Sequence, residues 1–318
     1  MRRVVYHSAP LLVALIAVSV SLQAQGGRGG PASEHMRAAS LALREGRTAD
    51  ALTSVRREAA ANPVSTAAAN MLDVLGATAD AKAIFQRQID AATDPAAKAA
   101  AQRAMAMSYA FDGDCANTVK YEELVIAYWV TREQAEPQNA FYQQGEMANE
   151  AARVCIDQEQ FDVAEALYRR GAALGLKEPA PKTHPKSLWD YRLAHALGRL
   201  AARRGNAAEA QRQISEARRL LDSDPTMAEA QERFFPYLVG FVALYTNDLR
   251  TADTALSKAI ATPGNTGDPY MHTLLGLTYE RLGMADKAKE LFTKAYGLAT
   301  AHNPPAAFTR PFTRKRLL

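Results

Sequence analysis

The residues best suited to chemistry are few and scattered. Six histidines, at positions 7, 35, 184, 195, 272 and 302, fall with no two of them four apart, so the helical His-x-x-x-His zinc pattern is absent. The sequence has no Gly-x-x-x-x-Gly-Lys-Ser/Thr phosphate loop, no dinucleotide Gly-x-Gly-x-x-Gly and no Gly-x-Ser-x-Gly nucleophile turn. We therefore expect no catalytic residue, no metal site, no cofactor and no enzyme activity. Two cysteines remain, Cys115 and Cys155. In an exported chain an even pair invites a disulfide, while two buried free thiols are the other reading.

Two stripes could instead recognise a partner. A helix turns about 100° per residue. Over 192–203, Arg192, His195, Arg199 and Arg203 therefore share one face at steps of three, four and four, while Ala194, Leu197, Gly198 and Ala201 share the opposite one. Phe234, Tyr237, Phe241 and Tyr245 repeat these steps opposite Val239, Gly240 and Ala243. The basic stripe reads as a solvated face or a recognition surface. The aromatic stripe reads as packing on an irregular neighbour, as a surface covered by the C-terminal tail, or as a ligand groove. Pro236 predicts a late start or kink in that helix.

The elements that must carry these stripes are helical. Long stretches are rich in alanine and other helix formers, and strand-like alternation is missing. In LGLTYERLGMADKAKELFTKAY (Leu275 to Tyr296), Leu275-Gly276 precedes Tyr279, Gly283 interrupts, and Ala288, Phe292 and Ala295 follow at steps of four and three. The same frame recurs at Leu197-Gly198, Gly205, Ala210, Ile214 and Ala217, and at Val239-Gly240, Ala243, Ala252, Leu256 and Ala259. Further copies run through Ala151 to Gly171 and Gly46 to Pro63, and weaker ones through Met105 to Gly113 and Gly76 to Phe85.

This pattern resembles the tetratricopeptide repeat over roughly residues 34–302. The resemblance implies an all-α, right-handed superhelical solenoid of about seven helix-turn-helix units. It also implies a concave groove, lined by the first helix of each unit, that takes up peptides. Arg192, His195, Arg199, Arg203, Phe234, Tyr237, Phe241 and Tyr245 are then the expected partner-binding residues, suited to a protein or peptide segment, carboxylate-bearing by its match to arginine. The Lys/Asn carboxylate clamp of some family members is not matched here. The expected role is a non-catalytic interaction scaffold or adaptor in the cell envelope. The alternative is an accessory or ligand-binding subunit of a polysaccharide or cell-wall enzyme system. Cys155 stands where the family usually has tyrosine.

The ends of the chain set the compartment and the limits of the repeat. Arg2 and Arg3, the apolar run Leu11 to Val20, and Ser21 to Ala24 have the layout of a signal peptide over 1–24. A flexible leader is expected over 25–33, and export to a periplasmic or extracellular space follows. An uncleaved N-terminal anchor is the other reading of the same run. No later segment is apolar enough to span a bilayer. The net charge is +4, and removing 1–24 takes two arginines and no acid, so the mature chain is nearly balanced and nucleic acid is not an expected partner. Three prolines mark a linker near 176–187. Residues 303–318 read as a basic, aromatic C-terminal tail, either mobile, docked on an acidic partner or folded back over the aromatic stripe. The partner's identity and the oligomeric state stay open.

Overall fold

The computed structural model describes residues 32–317, so the expected signal peptide and most of the leader lie outside the described residues. The described chain is all-α. Its helices are α1 (Glu34–Arg44), α2 (Thr48–Ala61), α3 (Thr66–Leu75), α4 (Thr78–Ala91), α5 (Pro95–Asp112), α6 (Cys115–Val130), α7 (Pro137–Asp157) and α8 (Phe161–Gly175). They continue with α9 (Lys186–Arg203), α10 (Ala207–Ser223), the short α11 (Pro225–Gln231), α12 (Phe235–Tyr245), α13 (Leu249–Ala261), α14 (Pro269–Arg281), α15 (Ala285–Leu298) and α16 (Pro304–Leu317). A 3₁₀ turn, Glu232–Phe234, joins α11 to α12. No helix among the described residues is long and apolar enough to cross a membrane.

Seven helix pairs stack in sequence order: α1/α2, α3/α4, α5/α6, α7/α8, α9/α10, α12/α13 and α14/α15. One turn chemistry builds them all. The first helix of each pair ends in a residue of positive φ, at Gly46, Gly76, Gly113, Glu159, Gly205, Asn247 and Gly283. The next residue's N–H then reaches back to the carbonyl four residues before that position. These bonds run Arg47 to Ala42, Ala77 to Leu72, Asp114 to Tyr109, Gln160 to Cys155, Asn206 to Ala201, Asp248 to Ala243 and Met284 to Tyr279, at 2.8–3.0 Å. This is the Schellman closure, which satisfies orphan carbonyls at a helix end. Glycine serves five of the seven because a left-handed backbone costs it nothing. Asn247 is the usual polar substitute, whereas Glu159 carries the strain.

Close approach within pairs explains the small residues of the repeat. A Cβ on Gly240 would meet Leu256 Cγ at 2.6 Å, and one on Gly276 would meet Phe292 Cε1 at 2.6 Å. The cores lie between pairs, where Ala151, Cys155, Ala164 and Tyr168 pack with Ala196 and Leu200, for example. No pair can bury this face without its neighbour.

The segment expected as a tail corrects the sequence reading. Residues 304–317 form α16, which packs on α14 and α15 at one end and on α3, α5 and α7 at the other. Ala306, Ala307, Thr309, Arg310 and Thr313 are buried. α16 therefore joins the last pair to the second, third and fourth, and its Phe308 packs beside the cluster of Tyr237 and Phe241, as the folded-back reading of the tail expects.

Candidate functional site

The inner face is made by the first helices of the pairs, and their register is set by the turn residue. The positions six and two before it point to this face. In the second and third pairs these are Asn70 and Val74, then Met107 and Phe111. Val74, Met107 and Phe111 pack with Ala306 and Ala307 of α16, so this half is mostly apolar and covered. In the fourth to seventh pairs the same positions hold Arg153 and Asp157, Arg199 and Arg203, Phe241 and Tyr245, and Leu277 and Arg281. That half carries the chemistry.

Arg199 is its centre. It is 8% exposed, yet no carboxylate bonds to it. Its Nη1 donates to the Tyr237 hydroxyl at 3.3 Å and its Nη2 to the Tyr168 hydroxyl at 3.5 Å. The guanidinium carbon sits 5.8–5.9 Å from the ring centres of Tyr168, Tyr237 and Phe241. Arg203 stacks on Tyr245 at 4.8 Å and reaches Asp157 at 3.4 Å. Arg281 stacks on the other side of the group, 5.6 Å from the Tyr245 ring centre, and donates to the Leu244 carbonyl. Arg153 lies 5.2 Å from the ring centre of Phe308, which comes from α16. Phe308 also meets Tyr270 edge-on at 5.5 Å.

The electrostatics follow from enclosure. Burial, and then the charge of Arg199, holds His195 well below the ordinary histidine range, so the ring is neutral and its Nε2–H donates to the Phe234 carbonyl. Burial lifts Asp157 above its ordinary range, against the pull of Arg203, Arg153 and Arg199. Burial also lifts Tyr168, Tyr245 and Tyr270, so their hydroxyls stay protonated. The result is several fixed guanidinium charges and neutral hydroxyls facing one raised acid, Asp157, with the exposed Glu159 carboxylate 3.6 Å from Arg203. The chemistry of such a set matches an anion.

Of the eight expected residues, seven meet here. His195, Arg199, Tyr237, Phe241, Tyr245 and Arg203 form one continuous group, and Phe234 joins it through its carbonyl and its half-buried ring. Arg192 stands apart, paired with Glu146 and stacked on Tyr142 and Trp189. The solvated reading of the basic stripe is corrected, and the aromatic stripe fits its packed and tail-covered readings. Arg199, Tyr237 and Phe241 are buried and the others are half-buried, because α12 packs on α9 and α14 packs on α12. Arg153, Asp157, Tyr168, Tyr270 and Arg281 were missed by the sequence reading. For Arg281 the register from Gly283 was the available signal; for Arg153 and Asp157 the turn at Glu159 has no glycine to mark it.

The two cysteines also come together. Cys115 opens α6 after its Asp114 cap, Cys155 lies near the end of α7, and their sulfurs are bonded in the structure. Among the described residues no three His, Cys, Asp or Glu side chains gather as a metal-binding group.

No protein-family model matches the sequence, and no curated protein matches it. Among solved structures, the chain is similar to a tetratricopeptide repeat protein from Parabacteroides merdae. The two share 17% identity with a TM-score of 0.43, over 82% of this chain and 91% of that one. The all-α repeat fold is carried by the chain's own seven helix pairs and their common turn.

Proposed function

We propose that this chain is a non-catalytic interaction scaffold or adaptor of the cell envelope, and that its inner face grips a peptide segment by a carboxylate. The observation that carries this reading is Arg199, a buried guanidinium held by tyrosine hydroxyls with no carboxylate of its own. A buried charge without a counter-ion is costly, and an incoming carboxylate would supply the missing partner. Together with Arg199, Arg153 and Arg203 outnumber the neighbouring carboxylates, Asp157 and the exposed Glu159. The aromatic rings around them supply contact area with little side-chain entropy to lose.

Burial changes how the reading must be tested. Phe241→Ala would open a core cavity costing about 3–5 kcal/mol and confound binding with unfolding. Arg199→Met keeps most of the volume and removes the charge and its donors. Crosslinked pull-downs from the native envelope should recover a protein partner with the parent chain and lose it with Arg199→Met, at unchanged helical signal. Equal recovery of that partner by both chains refutes the carboxylate reading. Recovery of glycan in place of protein would favour the accessory-subunit role in a polysaccharide system.

A further inference from the structure

The inner face is partly filled by the chain itself, and the filling segment is a weak helix. α16 begins at Pro304-Pro305, contains Pro311, and carries Thr309 and Thr313 in its interior. An internal proline removes one helix bond and costs about 3 kcal/mol, and threonine adds to the deficit. Such a segment is helical only because it is docked.

The docking contacts are specific. Arg310 is 1% exposed; its Nε donates to the Val74 carbonyl at 2.9 Å and its Nη1 to the Tyr296 carbonyl at 2.7 Å. Its guanidinium lies 3.7 Å from the Tyr296 ring centre, and its Nη2 has no partner. Arg314, one turn later, donates Nη2 to the same Val74 carbonyl at 2.9 Å. This carbonyl lies in the last turn of α3, the negative end of the helix, where guanidinium is favoured. His302 Nε2 meets Asp73 Oδ2 at 2.8 Å just before α16 begins. Between these polar ends, Ala306 and Ala307 press on Val74, Met107, Ala110, Phe111 and Val154. The segment is thus held by its side chains at both arginines, beside a small alanine face.

We propose that α16 is an exchangeable occupant of the inner face, and that its seat, made by α3, α5 and α7 on one side and α14 and α15 on the other, is a docking site for a partner helix of the same chemistry: alanines on one face and two arginines four residues apart. The seat states what it selects. A bulkier residue in place of Ala306 or Ala307 meets packed side chains, and a lysine in place of either arginine loses the planar fork. Release of α16 also withdraws Phe308 from Arg153 and Tyr270, so docking at this seat uncovers the arginine cluster. This rests on the scaffold reading above, as a description of how its inner face is opened.

Two measurements on the full chain test it. In native-state hydrogen exchange of the parent protein, amides of 306–317 should exchange at least tenfold faster than those of 140–156 in α7. Exchange of both segments together, only with global unfolding, overturns the proposal. In the second, a fluorescent synthetic peptide of residues 302–318 is added to the parent chain and to Arg310→Ala/Arg314→Ala. The peptide should bind the variant at least tenfold more tightly, and a peptide carrying the same two substitutions should not bind. Equal binding to both chains, equal binding of both peptides, or no binding to a variant with native helical signal overturns it. Arg199→Met should leave peptide exchange unchanged, so loss of the carboxylate reading and loss of this one give different results.

Discussion

Two glycines with the same backbone role separate the cost of a turn from the cost of the α16 contact. Gly205 and Gly76 both end a first helix, with φ of +75° and +83°. Alanine in a left-handed conformation costs about 1–2 kcal/mol, of which about 0.4–1 kcal/mol returns as lower unfolded-chain entropy. A Cβ on Gly205 meets nothing within 4 Å, so Gly205→Ala should cost about 1 kcal/mol and no more. A Cβ on Gly76 would lie 1.7 Å from Arg314 Nη1 and 2.7 Å from its Cζ. The guanidinium must move, and its bond to the Val74 carbonyl is lost. A hydrogen bond from a charged donor contributes about 1.5–3 kcal/mol, and the lower end applies because Arg314 is half-buried. Gly76→Ala should therefore cost about 2–3 kcal/mol. Urea denaturation followed by circular dichroism gives both values. Repeating Gly76→Ala in an Arg314→Ala background should bring its cost down to that of Gly205→Ala. Equal costs for the two glycines in the parent chain, or an unchanged cost in the Arg314→Ala background, would refute the reasoning.

Two further outcomes can be checked directly. Glu122, 2% exposed on α6 with an unpartnered Oε2, is held well above its ordinary value of 4.5 by burial and then by Glu150. The unfolded chain loses this proton above 4.5 while the folded chain keeps it, so the group lowers stability as pH rises from 4.5 toward its folded value. Glu122→Gln should thus stabilise the protein at pH 7.5 and change little at pH 4; a gain of the same size at both pH values contradicts this. The Cys115–Cys155 bond closes 40 residues, which in the chain-entropy model contributes about 4 kcal/mol. Reductant should lower the urea midpoint and shift the mobility of unfolded protein on a gel, and two titratable thiols in oxidised protein would count against the bond.

The repeat was legible because it is local. Glycine, small-residue and aromatic spacings all fall within one helix pair, where sequence distance and spatial distance agree. Glu159 was harder to see, since its left-handed turn has no glycine to mark it. The arginine and aromatic stripes were legible as faces, but not their burial, which depends on how α9, α12 and α14 pack on one another. α16 was illegible for a physical reason. Its prolines are the signals of a chain end leaving a helix, and the contacts that override them come from residues far away in sequence. Arg153 is a similar case. By itself it is an ordinary arginine on an amphipathic helix, and its role depends on the register shared with Arg199 and on Phe308 above it.

The contact between α16 and α3 also bears on how the protein is made. Arg310 and Arg314 meet Val74 across 236 and 240 residues of chain. Closing so long a loop in a flexible chain costs about 5 kcal/mol of entropy, but a stacked row of helix pairs already holds the ends near one another. Folding should therefore run along the row first and join the ends last, with closure as a separate slow step. During synthesis the apolar face of the second and third pairs must wait uncovered until α16 emerges. In that interval the face is exposed to other helices, and the arrival of α16 decides whether it is filled from within.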